Sequence, residues 1–118
     1  MITPELLKAR TKKFAIDVIL AVEDLPYKTS TNIMTKQLIR AATSVGANYR
    51  SACRARSKAD FISKITIVEE EADECCYWLE LLFELNRIEL KVFNKLHKEA
   101  EELTAIFTAS GKTSKSNK

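Results

Sequence analysis

The stretch SKADFISKITIVEEEADECCYWLELLFELN, residues 57–86, predicts one long amphipathic helix. Its hydrophobic residues recur every three or four positions, the spacing that places side chains on one face of an α-helix. Ser57 is followed three residues later by Asp60, as in a capping box, and Asn86 suits the left-handed residue that ends a helix. The predicted hydrophobic stripe consists of Phe61, Ile65, Val68, Ala72, Cys75, Cys76, Leu79, Leu82 and Phe83. At about 1.5 Å per residue this helix is roughly 40 Å long, enough to set the length of a bundle.

Three further segments on either side of this helix have the same periodicity, namely residues 4–24, 32–54 and 90–108. Thr3 can cap the first of them. The connections are short, so consecutive helices should be antiparallel neighbours. The sequence therefore predicts an all-α fold, an antiparallel up-and-down four-helix bundle, with residues 1–108 as a single domain. Residues 109–118, which are rich in Lys and Ser, are predicted to form a flexible polar tail.

The second segment has mostly small residues on its hydrophobic face, so a neighbouring helix can approach it closely. Gly46 lies inside the segment, where glycine costs about 1 kcal/mol relative to alanine, and this indicates crowding or a bend. Ser30 or Thr31 is expected to cap the helix.

The composition limits the class of protein. Hydrophobic residues make up 46% of the chain and charged residues 30%, which is typical of a soluble globular protein. Two glycines and two prolines are too few for the turns of an all-β fold. No hydrophobic run approaches the ~18 residues of a membrane helix, and the first residues do not resemble a signal peptide. The three cysteines, two of them adjacent, suggest small core residues in a reducing compartment, so we expect a cytoplasmic protein without membrane contact.

The charges are distributed unevenly along the chain. Residues 31–64 contain seven Lys or Arg and one acid, whereas residues 65–89 contain eight acids and one Arg. On a helical projection five cations fall on the side of the second helix opposite its hydrophobic face, if the helical phase continues to Lys58. They are Lys36, Arg40, Arg50, Arg54 and Lys58. Such a stripe can follow nucleic-acid phosphates, or it can meet the acids of the third helix within the chain or on another subunit.

A second hydrophobic face on the third helix predicts an interface. Ile67, Trp78, Leu81 and Leu85 lie off its main stripe, and a bundle of this size does not need so much hydrophobic perimeter. Self-association is the preferred interpretation, and a tighter core is the alternative.

The sequence offers no recognisable catalytic or metal site. Carboxylate-bridged metal bundles use Glu-x-x-His pairs, but the single histidine, His97, has Asn94 three residues before it. No nucleophile motif, phosphate-binding glycine loop or zinc-ligand spacing is present. We therefore predict no catalytic residues, no metal and no cofactor.

The order of several motifs resembles a known family. QLIRAATSVGAN, residues 37–48, matches the pattern Q-L-x-R-A-x-x-S-[IV]-x-x-N, and RSKADF (56–61), EADE (71–74) and the pair Trp78-Leu79 follow it. In this order, over residues 8–108, the motifs are similar to the four-helix-bundle proteins first named for open reading frames in intervening sequences of bacterial 23S ribosomal RNA. Accessory proteins of diversity-generating retroelements belong to the same broad group.

The resemblance implies an antiparallel four-helix bundle that assembles into rings, commonly pentamers. It also implies a basic surface that contacts RNA, DNA or a reverse transcriptase, and no catalytic residues, because the family shares none. In one departure, many relatives continue Asn-Ile-Ala-Glu-Gly at the end of the second helix, whereas Asn48 is followed here by Tyr49-Arg50-Ser51-Ala52-Cys53. The missing acid and glycine predict a longer and more basic second helix.

Two functional hypotheses follow. In the first, a non-catalytic homo-oligomeric bundle presents the basic stripe to nucleic acid and serves as an accessory to a partner enzyme. In the second, the protein is a purely structural assembly, and the stripe is used in contacts between subunits.

Overall fold

The computed structural model describes residues 1–116, which form four α-helices. They are α1 (Pro4–Val22), α2 (Thr29–Cys53), α3 (Lys58–Glu84) and α4 (Leu90–Ser116). α1 packs against α2 and α4, and α3 packs against the same two helices, so all four surround one core. The predicted antiparallel up-and-down bundle is confirmed, and it measures 49 × 25 × 21 Å.

The core contains the hydrophobic stripes of all four helices. Seven of the nine residues predicted for the stripe of α3 are buried, and Phe61 and Phe83 at its ends are half-buried against the core. The largest fully buried side chains include Phe14 on α1, Leu38 on α2 and Phe107 on α4. Because each such side chain contributes about 1.5–3 kcal/mol when it leaves water, packing of these stripes is what holds the helices together.

The predicted start of α1 and both predicted ends of α3 are confirmed, whereas α1 ends at Val22 and not at the predicted Asp24. Thr3 Oγ1 accepts a hydrogen bond from the Leu6 N–H at 3.1 Å, and Ser57 Oγ accepts one from the Asp60 N–H at 3.0 Å. The reciprocal bond differs from that of a capping box, because Asp60 Oδ2 accepts from the Arg56 N–H at 3.1 Å and not from Ser57. At the other end of α3, Asn86 has a φ of 59°.

The start of α2 differs from the prediction that Ser30 or Thr31 is the cap. The helix begins at Thr29, and Lys28 occupies the N-cap position without any side-chain capping bond. Thr31 lies instead on the buried side of the first turn, where it is 3% exposed. Because the helix already begins at Thr29, Thr31 lies within the first turn and cannot be the N-cap.

The predicted end of the fourth helix at Thr108 is wrong, because α4 continues to Ser116. Gly111 is buried in this extension, and a Cβ at that position would lie 3.6 Å from Cγ2 of Ile65 on α3. Packing against α3 therefore outweighs the weak local helix propensity of the Gly- and Ser-containing end. The flexibility predicted for residues 109–118 stays a prediction, and residues 117–118 lie outside the described residues. Among residues 1–116, no helix combines the length and hydrophobicity that crossing a bilayer requires.

Candidate nucleic-acid interface

The outer face of α2 carries the predicted basic stripe. Core residues such as Leu38 and Val45 turn one side of α2 inward, because they recur with the helical period. The opposite side faces solvent, and the five predicted cations are all exposed. The helical phase does not continue to Lys58 as the projection assumed, because α2 ends at Cys53 and α3 begins at Lys58. The departure from the family pattern after Asn48 coincides with an uninterrupted helix up to Cys53, which brings Arg50 into the stripe.

Arg40 differs from the other four cations because it is neutralised within the chain. Its Nη1 lies 2.8 Å from Glu71 Oε2, and its Nη2 donates to Glu74 Oε2, so Arg40 joins α2 to α3. The same Glu74 oxygen accepts a hydrogen bond from Trp78 Nε1 at 2.8 Å. The hydrogen bond to Glu74 is the main cause that raises the pKa of Arg40 above its ordinary value, and partial burial opposes it. The sequence is compatible with two roles for the stripe, contact with phosphates or pairing with acids of the third helix. Arg40 has the second role.

The remaining cations of the stripe have no such partner. Within residues 1–116, no carboxylate oxygen lies within 4 Å of the charged groups of Lys36, Arg50, Arg54 or Lys58. A cation that is exposed and unpaired keeps its full attraction for a phosphate. These four residues are therefore available for an anionic partner in the isolated chain.

The structure adds two cations that were not predicted from the sequence. Lys8 and Lys12 on α1 meet Arg50 along a groove of about 310 Å³ between α1 and α2. Small residues line the same groove, including Ala15, Gly46 and Ala47, and no acid does. The i, i+4 spacing of Lys8 and Lys12 indicated a shared face of α1, but only the packing of α1 on α2 places that face beside Arg50.

Gly46 explains how α1 comes so close to α2. A Cβ at Gly46 would lie only 3.2 Å from Thr11 Oγ1, which confirms the crowding predicted from this glycine. Thr11 is itself 1% exposed, and its hydroxyl donates to the Leu7 carbonyl at 2.8 Å. The close approach therefore brings the lysines of α1 and the arginine of α2 onto one surface.

The α1–α4 side of the bundle contains acids that are paired with an arginine. On the α1–α4 side, Arg10 Nη2 lies 2.6 Å from Glu99 Oε1 and 3.1 Å from Glu102 Oε1. The hydrogen bond to Glu99 is the leading cause that raises the pKa of Arg10, although burial opposes it. The arginine of this side is thus neutralised by ion pairs, as Arg40 is on the outer face of α2, whereas the other four cations predicted for that stripe have no carboxylate partner among residues 1–116.

The predicted interface residues divide into two pairs. Ile67 is 42% exposed and Leu85 48% exposed, whereas Trp78 and Leu81 are half-buried and pack against the core. Tyr77, which was not predicted as an interface residue, is exposed, and its ring lies 5.1 Å from the Trp78 ring in a T-shaped arrangement. The partial burial of Trp78 and Leu81 agrees with the alternative of a tighter core. Ile67, Tyr77 and Leu85 stay exposed on α3 or just after it, and we call these three residues the hydrophobic patch of α3.

The remaining reactive side chains are occupied or buried, except the thiol of Cys53, which is exposed. His97 Nε2 lies 2.8 Å from Glu80 Oε2, and its ring stacks on Phe93 at 4.7 Å. Burial is the main cause that raises the pKa of the Cys75 and Cys76 thiols, to about 12 for Cys76. Among the described residues, no three His, Cys, Asp or Glu side chains are grouped so that they could hold a metal ion.

Comparison with known proteins agrees with the motif order in the sequence. A family model described as "23S rRNA-intervening sequence protein" matches residues 7–109. A crystal structure from Bacteroides thetaiotaomicron, described as a protein of unknown function from the S23 ribosomal protein family, is similar over 94% of this chain and 99% of that one. Its sequence identity is 32% and the TM-score is 0.85. No curated protein matches the sequence.

Proposed function

Because the chain belongs to the 23S rRNA-intervening sequence protein family, we propose that it is a non-catalytic helical bundle that self-assembles and binds nucleic acid through a basic face. The basic face consists of six cations on α1, on α2 and in the segment 54–58 that follows α2, which have no carboxylate partner within residues 1–116. The six are Lys8, Lys12, Lys36, Arg50, Arg54 and Lys58. Five of them are exposed and Lys8 is half-buried. The single observation that carries the proposal is this set of cations without a carboxylate partner on one face, in contrast to Arg10 and Arg40, which are paired.

The physical basis is counterion release. A protein cation that neutralises a phosphate frees condensed ions, and this favours binding whatever the base sequence. The face is made of flexible Lys and Arg side chains on helices, without a groove-reading module, so binding depends weakly on sequence. The same face can serve as an accessory surface that holds RNA or DNA near a partner enzyme such as a reverse transcriptase.

The test is a salt titration of the full chain with single- and double-stranded RNA and DNA. For the wild type, the logarithm of the binding constant should fall linearly with the logarithm of the salt concentration. Lys36→Glu combined with Arg54→Glu should weaken binding at low salt and flatten the slope by about 0.7–0.9 for each phosphate that is no longer neutralised. The control is Lys98→Glu combined with Lys91→Glu, which changes the net charge by the same amount but on α4. This variant should bind nucleic acid almost as tightly as the wild type does. Affinity that is independent of salt, or of the reversal on α2, would contradict the proposal.

The assembly half of the proposal rests on the hydrophobic patch of α3. Ile67 and Leu85 are exposed, and exposed aromatic side chains such as Tyr77 are enriched where proteins meet. We expect the absolute mass in solution to be a multiple of 13.4 kDa, and the family resemblance favours five subunits. Ile67→Lys with Leu85→Lys should yield a folded monomer, whereas Leu20→Lys, at an exposed residue of α1, should leave the mass unchanged. A wild-type monomer would refute this half alone.

The structural alternative draws support from Arg40, whose pairing with Glu71 and Glu74 illustrates how this stripe can meet acids. If Lys36, Arg50 and Arg54 meet acids of another subunit, Arg50→Glu will dissociate the oligomer. In that case the protein will bind no nucleic acid at any salt concentration.

A further inference from the structure

A pocket of about 390 Å³ lies at one end of the bundle, between the connection from α1 to α2 and the connection from α3 to α4. Its hydrophobic walls are Leu25, Pro26 and Leu85, and its polar lining includes Lys28, Thr31 and Arg87. The volume lies within the range of about 300–1,000 Å³ that is usual for small-molecule sites. Leu85 also belongs to the surface proposed for assembly, but the polar lining of the pocket takes no part in the functions argued above.

Two buried polar atoms in the lining have no partner within the described part of the chain. They are Oγ1 of Thr31 and Nε of Arg87, and Thr31 as a whole is only 3% exposed. Buried polar atoms are almost always hydrogen-bonded in folded proteins, so each unpartnered one calls for an explanation. Here both belong to residues that line the same pocket, which points to a ligand that accepts from both.

The start of α2 supplies further donors at this place. The first intrahelical bond runs from the Asn32 N–H to the Lys28 carbonyl at 2.9 Å, and no side chain caps the turn before it. The N–H groups of Thr29, Ser30 and Thr31 are therefore without a capping acceptor, and the helix dipole makes this end positive. A helix start in this condition favours an anion.

The side chains of the pocket are positively charged, like the start of α2. Lys28 and Arg87 are both cationic, no acid lines the pocket, and neither cation has a carboxylate oxygen within 4 Å among residues 1–116. The nearby polar groups are donors that come from two sides, the first turn of α2 and Arg87. A tetrahedral oxyanion has acceptor oxygens in several directions, so it suits this arrangement better than a planar carboxylate does.

We propose that this pocket binds a phosphate group, held by the first turn of α2, the Thr31 hydroxyl, Lys28 and Arg87. The group can be a free phosphate or the terminal phosphate of a nucleic-acid strand, since both present the same oxygens. The site is separate from the basic face, and its failure would leave the proposed function intact.

The experiment is thermal unfolding of the full chain in inorganic phosphate and in chloride at equal ionic strength. Saturating phosphate should raise the Tm of the wild type by about 5 °C. Thr31→Val keeps the shape of the side chain but removes the hydroxyl, and it should show little of that rise. Arg87→Gln provides a second variant in case Thr31→Val alters folding, and it should show an equally small rise.

Matched controls separate the pocket from general effects. Thr11→Val removes the other buried threonine hydroxyl, which donates to the Leu7 carbonyl, and Lys98→Gln removes a charge on α4. Both should keep the wild-type response to phosphate, as should the charge reversal at Lys36 and Arg54. The proposal would be overturned if the wild type had the same Tm in phosphate as in chloride. It would also be overturned if both Thr31→Val and Arg87→Gln showed the full rise in phosphate.

Two oligonucleotides distinguish the sources of the phosphate. If the pocket takes a strand end, an oligonucleotide with a 5′-phosphate should bind the wild type about tenfold tighter than its 5′-hydroxyl counterpart. Arg87→Gln should remove that difference. Equal affinities, together with the Tm rise in inorganic phosphate, would assign the pocket to the free anion.

Discussion

At the scale of single residues, the contact between Gly46 and Thr11 controls how closely α1 and α2 approach. Thr11 is buried and its hydroxyl is bonded to the Leu7 carbonyl, so it cannot turn away without breaking that bond. A Cβ at position 46 would stand 3.2 Å from this hydroxyl oxygen. The glycine is thus required by the neighbouring helix, and not by the backbone conformation of α2, which is helical there.

Gly46→Ala should therefore destabilise the protein although alanine favours helices. The gain in propensity is about 1 kcal/mol, and overpacking costs about 1–3 kcal/mol, so we expect the free energy of unfolding to fall by about 1 kcal/mol. In a Thr11→Ala background the oxygen is gone, and the same change should stabilise by up to about 1 kcal/mol. Urea unfolding of the four proteins measures the cycle, and equal effects in both backgrounds would refute the steric account.

Cysteine reactivity is a second residue-scale prediction. Burial raises the pKa of the Cys75 and Cys76 thiols, whereas Cys53 is exposed, and only the thiolate reacts with disulfide reagents. At pH 8 the native protein should release one equivalent of chromophore per chain rapidly, and the denatured protein three. Cys53→Ser should abolish the fast phase. Any thiol that reacted rapidly in that variant would be Cys75 or Cys76, and it would show that the core opens readily.

At the scale of elements, the start of α3 is held by hydrogen bonds of both Ser57 and Asp60. Asp60 Oδ2 accepts hydrogen bonds from Lys64 Nζ at 3.0 Å and from the Arg56 N–H at 3.1 Å. The bond from Lys64 is the main cause that lowers the pKa of Asp60 from its ordinary value of 3.8. A carboxyl with a lowered pKa stabilises the fold fully above its unfolded pKa, and this contribution disappears as the pH falls through the folded pKa.

Asp60→Asn should accordingly be less stable than the wild type at neutral pH, and the difference should shrink below about pH 4. Ser57→Ala is the control, because removal of a hydroxyl cap costs about 1 kcal/mol without involving a titrating group. Its deficit should be the same at neutral and at acidic pH. Chemical denaturation across this range checks both, and an Asp60→Asn deficit that persisted at low pH would contradict the ionic explanation.

The last turns of α4 carry another prediction at this scale. Gly111 is buried against Ile65, and Thr108 Oγ1 donates to Glu69 Oε2 at 2.6 Å, so this end of α4 contributes to the core. Removal of residues 109–118 should uncover Ile65 and lower the free energy of unfolding by about 1–3 kcal/mol. Removal of residues 117–118 alone is the control. A flexible tail, as the sequence predicted, would make the longer truncation harmless as well.

At the scale of the whole molecule, the two proposed roles should respond differently to salt. Cations without a carboxylate partner among residues 1–116 lie on the outer face of α1 and α2, and the exposed hydrophobic side chains include Ile67 on α3 and Leu85 just after it. Salt screens contacts between exposed charges but does not weaken hydrophobic ones.

We therefore expect the mass of the assembly to stay constant between about 50 and 500 mM salt, while nucleic acid dissociates over the same range. Sedimentation with and without a labelled oligonucleotide measures both quantities on one sample. An assembly that falls apart as salt rises would mean that the basic stripe makes the contacts between subunits. That result would favour the structural alternative over nucleic-acid binding.

Local sequence signals were enough to predict the four helices, although not every helix end. The hydrophobic period of 61–83, the Thr3 and Ser57 caps and Asn86 are local signals, and a local signal suffices for a helix because its backbone bonds join residues four apart. The motif order also sufficed to recognise the family. Exposure of the basic stripe followed from the same period, since it lies opposite the core side of α2.

Which helix faces meet depends on packing between residues that are far apart in the sequence. The pairing of Arg40 with Glu74, the meeting of Lys8 with Arg50 and the placing of Thr31 beside Arg87 join residues distant in the chain. The extension of α4 likewise depends on contact with α3. These features follow from the rotation and register of the packed helices. Hydrophobic periodicity does not fix the rotation or the register, because many side chains on a stripe can pack against several different neighbours. Close packing at a few points such as Gly46 selects one arrangement among them.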